Sequence, residues 1–159
     1  MFLKPDYNLK RLFDINLEEL KSQGVKAMLF DLDSTLMASK SGMYSDEVLA
    51  WLENVRKDFF VGVVSNNKNE EYIEKVRQIS DFPLLFKAAK PDTCAISEFV
   101  KKHGFTPCEC VLVGDRPLTD ILCGKNFGCK TILVDSITCD TESKLVRFVR
   151  CLERLSIRK

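Results

Sequence analysis

The sequence predicts an α/β fold built on a mainly parallel, five-stranded sheet, and three observations predict it. Five short apolar runs (Ala27–Phe30, Val61–Val64, Leu84–Phe86, Val111–Val113 and Thr131–Val134) are continuous rather than alternating in polarity, as strands covered on both faces are. Segments with apolar residues at helical spacing separate them. The resulting β-α repetition calls for right-handed crossovers and one sheet between helical layers.

The first 25 residues fit this scheme least. Leu9, Leu12, Phe13, Leu17 and Leu20 suggest a leader of one or two short helices. After the first strand, Asp46–Arg56 places Val48, Leu49, Leu52 and Val55 on one side, with Ser45 as its cap. Asn69–Ile79 does the same with Tyr72, Ile73, Val76 and Ile79. Thr93–Lys102 follows with Ala95, Ile96, Phe99 and Val100, and Asp92 can cap it. Thr119–Phe127 is the next helix, and a basic amphipathic helix is expected within 141–159. With no repeat and no linker, residues 1–159 read as one domain.

Composition narrows the class. Hydrophobic residues are 45% of the chain, enough for a core, and 7 Gly with 5 Pro exclude collagen-like and low-complexity sequences. The 24 basic residues nearly balance the 23 acidic ones, so no nucleic-acid partner is expected. No apolar run is long enough to span a bilayer. The N-terminus, MFLKPDYNLKRLF, lacks a long apolar core and a small-residue cleavage site, so no secretion signal is read there. A cytoplasmic location follows as the expectation, or a mitochondrial or plastid one if a presequence has been removed. The seven cysteines then read as reduced thiols packed as small apolar residues. Zinc is the alternative, but the one close pair, Cys108-Glu-Cys110, lacks a second half, and the sole histidine, His103, sits among lysines.

Ligands of an open parallel sheet bind beyond the carboxyl ends of its strands. The residues following the first four runs are Asp31-Leu32-Asp33-Ser34-Thr35, Ser65-Asn66-Asn67, Lys87-Ala88-Ala89-Lys90-Pro91 and Gly114-Asp115-Arg116-Pro117-Leu118-Thr119-Asp120. Carboxylates, a hydroxyl and a lysine thus share one rim. Asp31 and Asp33, two apart in an extended segment, point the same way while Leu32 points into the core. Taken singly, each segment also reads as a turn, a helix cap or a solvated loop. Their joint order at strand ends is what argues for chemistry.

That order resembles the haloacid dehalogenase-like phosphotransferases, whose motifs are DxDx[TV], a strand-ending Ser or Thr, a Lys, and a GDxxxTD-like acidic turn. FDLDSTL, VVSNN, KAAKP and VGDRPLTD are similar to the YqeG-type branch, which includes phosphatidylglycerophosphate phosphatases of mitochondria and plastids. The resemblance implies a Rossmann-like three-layer fold and a phosphomonoester hydrolase working through an aspartyl-phosphate. It makes Asp31 the nucleophile and Asp33 the general acid and then base. Lys90 adds fixed positive charge. Ser65, the backbone amide of Asn66, Thr35 and Arg116 would bind the substrate phosphate. Mg²⁺ is the implied cofactor, held by Asp31, Asp115 and the backbone carbonyl of Asp33. Asp120 would orient metal-bound waters or Lys90.

The gaps after Leu36 and after the third strand are too short for a cap domain, so the site is expected to be open. Ser39–Ser45 is the one local candidate for a flap. An open site suits a phosphorylated substrate attached to lipid, with phosphatidylglycerophosphate implied by the resemblance. The alternatives are a soluble phosphate ester, a phosphoprotein, or an assembly factor that keeps the fold without turnover. The tail adds one observation. Residues 144–159 hold six basic residues and one acid, against a net charge of −4 for the remainder. Leu145, Phe148, Val149, Leu152 and Leu155 form an apolar stripe there, and Arg147, Arg150, Arg154 and Arg158 a basic one. The expected arrangement lays the apolar stripe on the sheet with the arginines in water. Peripheral contact with an anionic membrane is the alternative.

Overall fold

The computed structural model describes residues 3–137, 143–155 and 157. In chain order the strands are β1 (Tyr7–Asn8), β2 (Ala27–Phe30), β3 (Phe60–Val64), β4 (Leu84–Leu85), β5 (Cys110–Gly114) and β6 (Lys130–Leu133). The helices are α1 (Leu17–Ser22), α2 (Asp46–Val55), α3 (Glu70–Ile79), α4 (Cys94–Lys102), α5 (Leu122–Phe127) and α6 (Lys144–Leu155). The sheet runs β1-β6-β5-β2-β3-β4, with every pairing parallel.

β2 is central because its side chains can be buried on both sides. Met28 and Phe30 enter one core, with Leu20 of α1, Leu52 of α2 and Val76 of α3. Ala27 and Leu29 enter the other, with Ile96 and Val100 of α4 and Cys123 of α5. The result is the expected three-layer arrangement, and no inserted domain follows β2 or β4. Ser45 caps α2 as read, its Oγ accepting from Val48 N at 3.2 Å. α4 begins one residue later than read, with Thr93 in the cap position, and Asp92 Oδ1 accepts from its first amide, Cys94 N, at 2.8 Å.

Three expectations change. The sheet has six strands, because Tyr7–Asn8 pairs with Ile132–Leu133 as an edge strand. The leader is therefore not wholly helical: β1, a 3₁₀ turn at Leu12–Asp14 and α1 share it. Two residues carry no readable strand pattern. Their position is fixed by Asp6, whose Oδ2 accepts from Thr131 N and Thr131 Oγ1, each at 2.8 Å.

The third change concerns α6, which turns its charged side inward. Arg116 pairs with buried Glu153 at 2.6 Å, and Arg154 reaches Asp135 at 2.5 Å and Val134 O at 3.1 Å. Arg150 meets Asp115. Leu145, Phe148, Leu152 and Leu155 are left exposed, the reverse of the packing expected from the sequence. The physical reason is the carboxylate-rich rim beneath the helix, which draws in cations rather than methyl groups.

Among the cysteines, Cys110, Cys123 and Cys129 pack in the second core as small apolar residues. Cys94, Cys108 and Cys151 are exposed, contrary to the uniform burial expected. Cys139, Arg158 and Lys159 lie outside the described residues, as do positions 141 and 142 of the expected tail helix.

Candidate active site

β2 and β5 are adjacent and in register, Phe30 opposite Val113, so the residues just beyond them meet. Asp31 N donates to Val113 O at 2.8 Å, which fixes the nucleophile candidate against the end of β5. Asp115 follows one residue after β5, and Asp120 returns from a π-helical turn at Pro117–Ile121. Asp31, Asp115 and Asp120 offer carboxylate oxygens within 4.8 Å of one another.

Gly114 makes that return possible. A Cβ placed there would lie 2.3 Å from Asp120 Cγ, so only glycine leaves room for the carboxylate. Gly114→Ala is expected to displace Asp120 and to destabilise the fold by about 1–3 kcal/mol, read from the midpoint of urea unfolding.

Lys90 balances this negative charge. Its side chain is buried, and Nζ donates to Asp31 Oδ1 and Asp120 Oδ1, each at 2.6 Å. Burial works against a lysine cation, but the Asp120 and Asp31 carboxylates outweigh it and raise the Lys90 pKa. Burial also dominates at Asp31: it pushes the carboxyl up to about 7, with Lys90 opposing the rise and Asp120 adding to it. The lysine loop is held by Asn66, whose Oδ1 accepts from Lys90 N at 2.7 Å while its Nδ2 donates to Lys90 O at 2.9 Å. The side chain of Asn66 thus has a task the sequence did not reveal, separate from the phosphate contact expected of its backbone amide.

Asp33 also faces the cleft but is held apart from the carboxylate cluster. Tyr72 donates its hydroxyl to Asp33 Oδ1 at 2.7 Å, Lys40 N donates to the same oxygen at 3.1 Å, and Asn67 Nδ2 donates to Oδ2 at 3.3 Å. Burial, and then the bond to Asp33, keep the Tyr72 phenol protonated as a donor. Tyr72 read from sequence as one more apolar helix position. The clue to its role was its place in the first turn of α3, directly after the Ser65–Asn67 loop. Tyr72→Phe is expected to lower kcat about tenfold with little change in KM if Asp33 acts as the acid and base that the resemblance implies, because it loosens that carboxyl rather than substrate contacts. Steady-state kinetics on a chromogenic phosphate ester reads that split.

Asp31, Asp33, Ser65, Asn66, Lys90 and Arg116 share one cleft of about 540 Å³. Ser39 and Lys40 of the expected flap line it as well. Thr35 sits behind it, fully buried, donating Oγ1 to Asp115 Oδ1 at 3.2 Å. It steadies the acidic cluster and does not face the substrate space. Arg116 places its backbone N 3.0 Å from Asp120 Oδ2, while its guanidinium is engaged with Glu153. Arg150, absent from the sequence-derived site, enters the cleft and meets Asp115. Its signal in the sequence was hidden because every arginine of the tail looked solvated.

Several hard oxygens at one point, with fewer fixed cations than carboxylates, fit a divalent cation such as Mg²⁺. The arrangement also supplies what transfer of a phosphoryl dianion needs: a carboxylate to receive it, fixed positive charge, and a second carboxylate for the proton.

Comparison with known proteins identifies relatives in sequence and in fold. A HAD-hydrolase-like family model matches residues 87–145. The chain is 31% identical over 153 residues to "Probable phosphatase YqeG" of Bacillus subtilis, covering 96% of this chain and 88% of that one. It is 34% identical over 163 residues to "Phosphatidylglycerophosphate phosphatase 1, chloroplastic/mitochondrial" of Arabidopsis thaliana, covering 96% of this chain and 46% of that one. A HAD phosphatase from Thermococcus onnurineus shares the fold at a TM-score of 0.58 and 14% identity, over 70% of this chain and 86% of that one. Relatives that run nearly the length of the chain, together with four motifs that converge on one rim, assign this protein to the haloacid dehalogenase-like phosphatases.

Proposed function

We propose that the protein is a magnesium-dependent phosphatase that converts phosphatidylglycerophosphate to phosphatidylglycerol through a phosphoryl group carried on Asp31. The observation that carries the substrate class is the uncapped cleft: no inserted domain covers it, so a phosphomonoester can enter while the rest of its lipid stays outside. The Arabidopsis relative, named for this substrate, supports the same reading.

The chemistry follows from the side chains. Asp31 Oδ attacks phosphorus and the ester bond breaks as the bond to Asp31 forms. Asp33, held by Tyr72, gives a proton to the departing alkoxide and then takes one from the water that cleaves the acyl phosphate. Ser65 and the Asn66 backbone amide supply donors to the transferring oxygens, and Lys90 supplies fixed charge beside Asp31. Asp31 and Asp115 are the side chains that would hold Mg²⁺, with the Asp33 carbonyl as a further ligand, while Asp120, whose oxygens accept from Lys90 Nζ and Arg116 N, would keep Lys90 oriented beside them. When bound, the cation neutralises the charge that a dianion and a carboxylate bring together.

Comparative turnover tests the substrate. The expected result is a higher kcat/KM on phosphatidylglycerophosphate in mixed micelles than on glycerol phosphate, sugar phosphates or a phosphopeptide. Equal or better turnover of a soluble ester would assign the protein to small-molecule or phosphoprotein chemistry instead.

A further inference from the structure

The amphipathicity of α6 is inverted with respect to the domain. Its inward side is charged: Glu153 pairs with Arg116, Arg154 with Asp135, and Arg150 reaches Asp115. Its outward side is apolar, with Leu145, Phe148, Leu152 and Leu155 exposed by 72, 60, 50 and 54%. These positions recur at i, i+3, i+7 and i+10, a continuous stripe along the helix. An apolar stripe left in water while polar groups are buried marks a surface that another phase or molecule covers.

The charge around the stripe selects the partner. Lys144 and Arg147 flank it and are exposed, and the single acid of the helix, Glu153, is turned inward and neutralised. The outward face therefore presents methyl groups, an aromatic ring and cations, with no exposed carboxylate among the helix residues. Two copies of such a face would oppose their cations. An anionic lipid surface accepts both features, taking the apolar side chains into the acyl boundary and the cations at headgroup level.

We propose that α6 docks the protein on an anionic bilayer surface, apolar stripe inward to the lipid, with the cleft held beside it. This deepens the lipid-substrate reading given above and rests on it for its purpose. The position is telling. Arg150 and Ser143 line the cleft, so the helix that would meet the lipid is also part of the wall of the site. The turn at Pro117–Ile121, against which α6 packs, adds Leu118, itself 46% exposed. A helix is about 10 Å across, so a stripe sunk into the acyl boundary leaves the charged side, and the cleft, at the depth of lipid phosphates.

Sedimentation with vesicles of phosphatidylcholine, with and without phosphatidylglycerol, tests the surface. The full chain is compared with Leu145→Ser/Phe148→Ser/Leu152→Ser, whose changed side chains all lie on the exposed face. The expected result is binding only when phosphatidylglycerol is present, and a loss of about tenfold or more in the triple variant. Turnover of a soluble chromogenic ester by the variant should match that of the parent, which also shows that it is folded. Equal vesicle binding by parent and variant overturns the proposal. So does a dimer in sedimentation velocity that the triple variant abolishes while vesicles go unbound. Vesicle binding without preference for phosphatidylglycerophosphate in turnover would sink the substrate reading and leave the docking surface standing. The opposite pattern would do the reverse.

Discussion

Asp31→Asn is expected to lower phosphate release by about 10⁴-fold or more, the size of loss that follows removal of a nucleophile whose partners cannot act without it. The substitution keeps shape and removes one acceptor charge from Lys90, which retains Asp120 at 2.6 Å. Folding should therefore survive, and circular dichroism with a thermal midpoint near that of the parent would show it. Activity within tenfold of the parent would exclude Asp31 as the group that receives phosphorus. Asp33→Asn should be less severe on an ester with a good leaving group, since such a group needs little protonation to depart.

The second large effect is on stability. Lys90→Met removes the cation between buried Asp120 and Asp31, which is only partly exposed at the floor of the cleft. Leaving buried charge without its partner costs about 3–5 kcal/mol, measurable by urea unfolding in the presence of a chelator. The double variant Lys90→Met/Asp120→Asn should regain part of that loss, because one of the stranded charges is gone. Linkage gives a further signature. Burial raises the Asp31 carboxyl to about 7 in the folded protein, above its ordinary 3.8. Proton binding then favours the folded state: this contribution is complete below about pH 4 and is lost as pH rises through about 7. Without Lys90 the same carboxyl is more costly to ionise, so the deficit of the single variant should shrink in acid. A deficit independent of pH would point to lost packing instead.

The legible parts of this protein are those in which one residue type serves one need. Strands β2, β3, β5 and β6 are apolar runs because both faces of the sheet are covered, and that condition is written directly in consecutive side chains. Asp31, Asp33, Ser65 and Asp115 were readable as candidates because each stands just past an apolar run, where a polar side chain has no packing purpose, and Lys90 because it closes the loop that follows the third run. Tyr72, Arg150 and the side chain of Asn66 were not readable, for a shared reason. Each acts across the fold: Tyr72 on Asp33, Arg150 on Asp115, and Asn66 on Lys90. Pairings at such separations depend on how the loops cross, which periodicity does not encode. β1 escaped notice because two paired residues leave no pattern, and α6 because its amphipathic spacing specifies two faces but not which one meets the domain. The burial of Glu153, an acid that bland composition would place in water, is the residue-level sign of that choice.

The two shortest strands, β1 and β4, stand at the two borders of the sheet. Each offers only two residues of unpaired backbone to a visiting chain, so neither border is a useful template for strand-by-strand growth. Crowding this protein at a surface would therefore carry little hazard of fibrous aggregation, even though its interior strands are rich in valine and leucine.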